Sequence, residues 1–266
     1  MSKTLGVFHR PTMRDAAIRA GASNGLVLCL DPADHQSYTS GQSWLDTSGN
    51  GYDFFLGSTS GSDASDPTFN GLGTIGGKSR HDAWNVVGAQ YFTYDTTNET
   101  WMENIHKDNA LFTIAGWGYF PTLAANCMMM GNAGGLSGSR TGFFWKFTST
   151  TAPQFQVFNN NANVLTVNGT ALIPGWNFVA LSVDEAAGTG FLVTNDLATA
   201  ITSTYSSPSA GAASFTTQIA AGGNNTFNSF PAGSLLGPVA AWTVSLTASQ
   251  LLSLYNAMLP RYRNAA

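Results

Sequence analysis

Phe112-Thr-Ile-Ala-Gly-Trp-Gly-Tyr-Phe120 is the stretch on which the fold turns. Alternation at a period of two places Phe112, Ile114, Gly116, Gly118 and Phe120 on one face, with Trp117 and Tyr119 on the other. Both faces carry bulk to bury, as in a sheet covered on two sides. Trp176-Asn-Phe-Val-Ala-Leu-Ser-Val183 repeats the pattern: Trp176, Phe178, Ala180 and Ser182 face one way, and Asn177, Val179, Leu181 and Val183 the other. It too is expected to be buried on both sides. Around these lie strand candidates at 26–30, 111–120, 142–147, 154–158, 176–184, 190–194, 214–221 and 236–245. Each is short, rich in Phe, Val, Ile, Trp or Thr, and bounded by turn residues. Phe112, Ile114, Trp176, Phe178, Val179 and Trp242 are the expected core. Convincing helix signal comes only at the end, where the capping box Thr247-Ala-Ser-Gln250 opens an apolar face of Leu251, Leu252, Leu254, Tyr255 and Met258. Pro260 is expected to stop that helix. Many strands and one short helix define an all-β chain, a two-sheet antiparallel sandwich or jelly roll.

The composition agrees with a large core. Of 266 residues 43% are apolar, including 17 Phe, 8 Tyr and 7 Trp, which excludes wholesale disorder. Charged residues make up 10%, against about 25% in an ordinary soluble protein. The solvent-facing side is therefore built from Ser, Thr, Asn, Gln and Gly. A net charge of −4 excludes a partner recognised through its phosphate backbone, so no nucleic acid is expected. No run of 18 apolar residues occurs, and no membrane span is expected. The opening Met1-Ser-Lys-Thr-Leu-Gly-Val-Phe-His-Arg10 lacks the features of a secretory signal, so cytoplasmic synthesis without export is expected. Cys29 and Cys127 sit in apolar runs and read as buried thiols; whether they pair is left open. Without a Cys/His cluster they form no zinc site.

Residues 1–22 stand apart from the domain expected over 23–266. They hold Lys3, Arg10, Arg14 and Arg19, four of the eleven basic residues, and one acid, Asp15. Asp15-Ala-Ala-Ile-Arg-Ala20 is one or two helical turns, too short to hold alone in water. The stretch reads as an arm that orders against a partner, with Leu5, Val7 and Phe8 as apolar anchors and Arg10 and Arg14 reaching carboxylates. Trp44-Leu-Asp-Thr-Ser-Gly-Asn-Gly51 is the most specific local pattern. Asp46, Ser48 and Asn50 present alternate oxygens that suit calcium, but the loop lacks the acidic density of an EF-hand, and a structural turn is the preferred reading. No cofactor is expected.

Catalysis finds little support. A glycosidase needs two facing carboxylates, and only Glu99, Glu103 and Glu185 are glutamates. Glu99 and Glu103 read as surface residues flanking a buried Trp101 or Met102, while His106 and His81-Asp82 read as exposed loop positions. For a sugar, the parts needed are an exposed aromatic platform and neutral donors. Tyr91, Tyr94 and Trp101, near Asn98 and Asn104, supply one candidate. Phe158 running into Asn159, Asn160 and Asn161 supplies another, although the asparagine run also reads as a hairpin loop.

Four segments in order resemble the laminin G-like branch of the concanavalin A-like lectin/glucanase superfamily, especially its bacteriophage-encoded versions, over roughly residues 25–256. They are Gly25-Leu-Val-Leu with Asp31, Ser37-Tyr38 and Trp44 to Gly51; Phe112-Thr-Ile-Ala-Gly-Trp117; Gly175-Trp-Asn-Phe-Val-Ala-Leu181; and Trp242 through Tyr255-Asn256. The resemblance implies a jelly roll whose first and last strands lie together. Pro238, Ala240 and Ala241 stand where such relatives carry acidic residues, so no metal or ligand site is carried over. The paired-carboxylate strand of the related glucanases is absent. Fold alone does not settle function. The favoured expectation is a non-enzymatic bacteriophage virion protein, a head or tail decoration held to other virion proteins by its N-terminal arm, with host-surface glycans as a second partner. The runner-up is a carbohydrate-binding adhesin of a phage or bacterial surface, and a glycoside hydrolase is a distant third. Homo-oligomerisation is left open.

Overall fold

The structure, a computed structural model, describes residues 11–71, 82–86, 88–95, 100–122, 127–134, 140–148, 152–224 and 230–262. Sixteen strands lie among them. The first six are β1 (Leu26–Leu30), β2 (Ser43–Trp44), β3 (Phe54–Leu56), β4 (Thr68–Asn70), β5 (Ala83–Asn85) and β6 (Phe92–Tyr94). Next come β7 (Leu111–Phe120), β8 (Met128–Gly131), β9 (Gly142–Phe147), β10 (Pro153–Asn159) and β11 (Ala162–Asn168). The last are β12 (Gly175–Asp184), β13 (Thr189–Thr194), β14 (Leu197–Thr202), β15 (Gln218–Ile219) and β16 (Leu235–Trp242). Helices are α1 (Met13–Arg19), the single turn α2 (Thr100–Glu103) running into a 3-10 turn at Asn104–His106, and α3 (Ala248–Tyr262).

Two antiparallel sheets of eight strands face each other. The first runs β14-β13-β12-β7-β16-β5-β4, with β1 also paired to β16; the second runs β11-β10-β9-β8-β15-β6-β3-β2. This is the expected jelly-roll sandwich, and its first and last strands do lie together, Cys29 opposite Ala240 and Leu30 opposite Val239. β16 holds β7 on one side and divides its other side between β5 and β1. The register slips between Leu236 and Val239, at Gly237-Pro238. A proline cannot donate to a ladder, and an irregularity of this kind is where a sheet tolerates one.

The alternation read from the sequence holds. Phe112, Ile114 and Phe120 of β7 and Val179, Leu181 and Val183 of β12 bury inward, against Phe143, Trp145 and Phe155 of the second sheet. Trp117, Phe178, Ala180 and Trp242 point outward, into a separate cluster closed by Met13, Ala16, Leu251, Leu254 and Met258. Helices α1 and α3 thus form a third layer on the outer face of the first sheet. Of the expected core only Trp176 is half-buried, because it stands at the start of β12 where the helix cover ends.

Several expectations are corrected. The strand drawn over 214–221 shrinks to Gln218–Ile219, and Phe215 is exposed. The last strand ends at Trp242, not at 245. Pro260 does not stop α3, which runs to Tyr262. Proline in a last turn costs one intrahelical hydrogen bond, and tertiary contacts offset it: Arg261 pairs with Asp31 at 2.8 Å, and Tyr262 stacks on Trp117 at 4.2 Å. Residues 11–22 pack against the sandwich rather than projecting as an arm. Thr12 and Asp15 close a capping box at the start of α1, and Met13, Ala16, Ala17 and Ala22 are buried. The Met13 N–H donates to Asp31 Oδ2 at 2.8 Å, and Trp242 Nε1 donates to the Ala22 carbonyl at 2.5 Å. The boundary expected at residue 22 therefore cuts through packed structure. Arg14 is exposed on α1, while Leu5, Val7, Phe8 and Arg10 lie outside the described residues. Cys29 and Cys127 are buried in different layers, so no disulfide joins them. Burial pushes the Cys127 thiol up to about 11, far from a reactive thiolate.

Candidate functional site

The turn at 44–51 is held by its own side chains. Asp46 Oδ1 accepts from the N–H groups of Cys29 (2.8 Å) and Ser48 (2.9 Å), and Oδ2 from the Ser48 hydroxyl (2.6 Å) and the Tyr52 N–H (3.2 Å). Asn50 Nδ2 donates to Ser48 Oγ at 2.9 Å and to the Val27 carbonyl at 3.3 Å. Oδ1 thus ties the turn to β1, while Oδ2 closes the turn on itself. No group of three His, Cys, Asp or Glu side chains suited to a metal lies among the described residues.

The aromatic platform expected at Tyr91, Tyr94 and Trp101 is absent as a surface, because all three side chains belong to the core between the sheets. Tyr94 packs on Phe54 and Tyr52, and Trp101 on Tyr52. An edge of Trp101 and Asn104 reach a cleft of about 410 Å³ shared with Lys107 and Asp108. Asn98 and Glu99 lie outside the described residues. The asparagine run forms the hairpin between β10 and β11, with Asn160 and Asn161 at φ 46° and 72°. Two positive φ angles are what a tight two-residue hairpin demands, and asparagine accepts them best after glycine. Two of the run's side-chain amides, those of Asn159 and Asn161, are engaged within the chain. Asn159 Nδ2 donates to the Ser207 carbonyl at 3.1 Å, and Asn161 Oδ1 accepts from the Arg140 N–H at 2.9 Å.

His106 is fully buried, contrary to the exposed loop position expected. Its Nε2 stands 3.1 Å from the Gly211 carbonyl and 3.9 Å from Glu103 Oε2, and its backbone carbonyl accepts from Ser209. Burial holds its imidazole below the usual histidine value. Glu103 accepts the Ala213 N–H at 2.7 Å, and Glu185 accepts the N–H groups of Asn109 (2.9 Å) and Tyr205 (3.1 Å). These carboxylates tie loops together. His81 lies outside the described residues, and the backbone carbonyl of its neighbour Asp82 accepts from Arg261.

A second concavity, of about 570 Å³ against about 410 Å³ for the cleft beside Trp101, lies on the outer face of the first sheet beside the end of α3. Four aromatic rings make its floor and one wall. Trp117 of β7 stacks between Tyr262 at 4.2 Å and Tyr255 at 5.6 Å, and Trp176 of β12 meets Tyr262 at 4.4 Å. Trp117 and Tyr262 are buried, while Trp176 and Tyr255 are half-exposed. Gly237 of β16 makes room beneath them. A Cβ there would stand 3.0 Å from Trp117 Cβ and 3.1 Å from Trp176 Cζ3.

Asn195 lines the opposite rim, and Asn177 holds it from beneath. Buried Asn177 donates from Nδ2 to the carbonyls of Ile173 (2.7 Å) and Gly175 (3.0 Å), and its Oδ1 accepts the Ile173 N–H at 3.1 Å. Asn195, at φ 56° in the β13–β14 turn, donates to Asn177 Oδ1 at 3.1 Å and accepts the Phe178 N–H at 2.9 Å. The pair fixes the loop before β12 beside the turn after β13. Ile173 and Leu197 project there at 58% and 48% exposure, two of the six large apolar side chains left in water among the described residues. Thr170 and Asp196, both exposed, supply a hydroxyl and a carboxylate. An apolar concavity with a few convergent polar groups is the usual form of a small-molecule site. Residue reading missed it because its parts come from β7, β12, two loops and α3. The one available signal was an aromatic at the first turn of a strand beside Gly175, together with Tyr255 on the terminal helix.

No known family model matches the chain, and no curated protein matches it in sequence. Solved structures share its fold. The binding domain of botulinum neurotoxin DC in complex with SialylT superposes with a TM-score of 0.60 at 11% identity, over 89% of this chain and 52% of that one. A botulinum neurotoxin type C structure, described with cell entry that depends on two ganglioside molecules, gives a TM-score of 0.61 at 14% identity, over 90% and 52%. Trypanosoma rangeli sialidase in complex with sialic acid gives 0.54 at 13% identity, over 87% and 32%. The chain spans about half the length of the neurotoxin domains and a third of the sialidase. At these identities the likeness shows the fold alone, a two-sheet antiparallel β-sandwich.

Proposed function

We propose that this chain is a non-enzymatic carbohydrate-binding module carried on a bacteriophage virion. The observation that carries the binding half is the groove at the end of α3, where half-exposed Trp176 and Tyr255 offer ring faces beside the Thr170 hydroxyl and the Asp196 carboxylate. Aromatic faces bury the apolar face of a sugar, while hydroxyl and carboxylate groups meet its hydroxyls. The fold neighbours, described with gangliosides and with sialic acid, support a saccharide ligand in general through analogy of fold alone. Glu103, Glu185 and His106 are occupied in holding loops, which favours binding over hydrolysis.

The virion half rests on the resemblance to phage-encoded laminin G-like domains and on the basic opening segment. Docking falls to residues 1–10, with Leu5, Val7, Phe8 and Arg10, helped by exposed Arg14. A glycan-array screen of the purified chain tests binding, and mass spectrometry of purified particles tests the location. Deleting residues 1–10 is expected to leave a folded domain that no longer joins the particle. Assembly at normal occupancy without them would place attachment on the sandwich surface, and silence across the array would remove the binding half.

A further inference from the structure

We infer that the groove takes neutral saccharides and turns away acidic ones. The inference rests on the carbohydrate-binding reading and narrows its ligand class. Among the described residues that line the groove, Asp196 is the only charged side chain, with no Lys, Arg or His beside it. Arg261 on α3 is buried and committed to Asp31 at 2.8 Å, and Arg263, which follows Tyr262, lies outside the described residues. Recognition of a sugar carboxylate is the province of guanidinium or ammonium groups, or of several converging N–H donors.

The two asparagines beside the rim are already paired within the chain. The Asn177 and Asn195 amides donate to Ile173, Gly175 and each other, and the Phe178 N–H is taken by Asn195 Oδ1. Asp196 instead offers an acceptor to sugar hydroxyls on the exposed side of the groove. A second carboxylate brought close to it meets a like charge across a partly apolar surface. Such repulsion corresponds to roughly a tenfold or greater loss of affinity at low salt, and to less as salt screens it. The same aromatic floor therefore serves neutral hexose or N-acetylhexosamine chains.

The test is an array in which each neutral glycan stands beside its sialylated form, read at low salt with the whole chain. Neutral members are expected to bind, with their sialylated partners weaker by roughly tenfold or more. Trp176→Ala, checked for an unchanged far-ultraviolet spectrum, is expected to abolish binding. Asp196→Lys, an exposed change that leaves the core alone, is expected to erase or reverse the preference. Sialylated members binding as well as the neutral ones would overturn the inference while leaving a carbohydrate-binding module. Neutral binding untouched by both substitutions would overturn it by placing the site elsewhere on the sandwich. No binding by any member would overturn the inference and the functional reading together.

Discussion

Arg261 Nη1 stands 2.8 Å from Asp31 Oδ2 across 230 positions of sequence, and both side chains are sealed from solvent. The same carboxylate accepts the N–H groups of Met13 at 2.8 Å and Ala33 at 3.0 Å, so one aspartate joins α1, the end of β1 and the last turn of α3. Removing one partner of such a pair leaves an uncompensated buried charge. Arg261→Met is expected to cost about 3–5 kcal/mol, read as a lower denaturant midpoint with an unchanged slope. A loss under about 1 kcal/mol would mean that the pair contributes no more than a surface contact.

Asp46 holds the first turn with both of its carboxylate oxygens. Asp46→Ala strips acceptors from the Cys29, Ser48 and Tyr52 N–H groups and is expected to cost about 3 kcal/mol. The melting temperature of the native chain should be the same with calcium as with a chelator. A fall of many degrees on chelation would show that an ion shares those oxygens.

His106 makes stability depend on pH in a definite direction. Burial lowers its proton affinity in the folded chain, while in the unfolded chain it titrates near pH 6.5. As pH falls below that value the unfolded state takes a proton that the folded state refuses. Stability is therefore full above about pH 6.5 and declines below it, by at most about 1.4 kcal/mol per pH unit. Glu103 at 3.9 Å softens the effect, and neighbouring Lys107 adds to it. Unfolding curves of His106→Gln should be flatter than those of the native chain between pH 6.5 and 5; identical slopes would refute the assignment.

Asn161 is in the hairpin for its backbone. Asn161→Gly is expected to leave glycan binding unchanged and to keep the fold. Asn161→Val, forced to φ 72°, is expected to cost about 1–2 kcal/mol. If Asn161→Gly abolished glycan binding on the array, the asparagine run would be the ligand site after all.

Gly237→Ala tests the groove from beneath. Its new Cβ would crowd Trp117 and the Trp176 ring, and overpacking of this kind costs about 1–3 kcal/mol. Glycan affinity should drop with Trp176 displaced, and an unchanged affinity would mean that the ring position does not matter.

The two longest strands were legible and the shortest were not, for a physical reason. β7 and β12 have ten residues each, enough for alternation to assign every side chain a face. β2 to β6 have two or three residues, and no period can be read from so few. β8 was hidden because Met128 to Met130 are buried without interruption, while β14 lies at a sheet edge with Thr and Ala largely in water. In α1 the cap was written as Thr12-Met-Arg-Asp15, but its apolar side consists of one methionine and small alanines, a weak signal. The groove was the least legible part. Trp176 and Tyr255 were both read as core, and only the meeting of β12 with α3 leaves them half in water.

The pairing of β1 with β16 also sets the order in which the molecule can be completed. β1 has no ladder partner until residues 235–242 exist, and Asp31 has no counter-ion until Arg261 does. During synthesis the apolar face of β1 waits while some two hundred later residues emerge. Pairings so distant in sequence must meet the entropy of closing a long loop before they return any contact energy. Closure of the first sheet therefore waits for residues 235–262 and must close a long loop. A nascent chain arrested before α3 would expose Cys29, Trp117 and Trp242 together, a surface suited to chaperone capture.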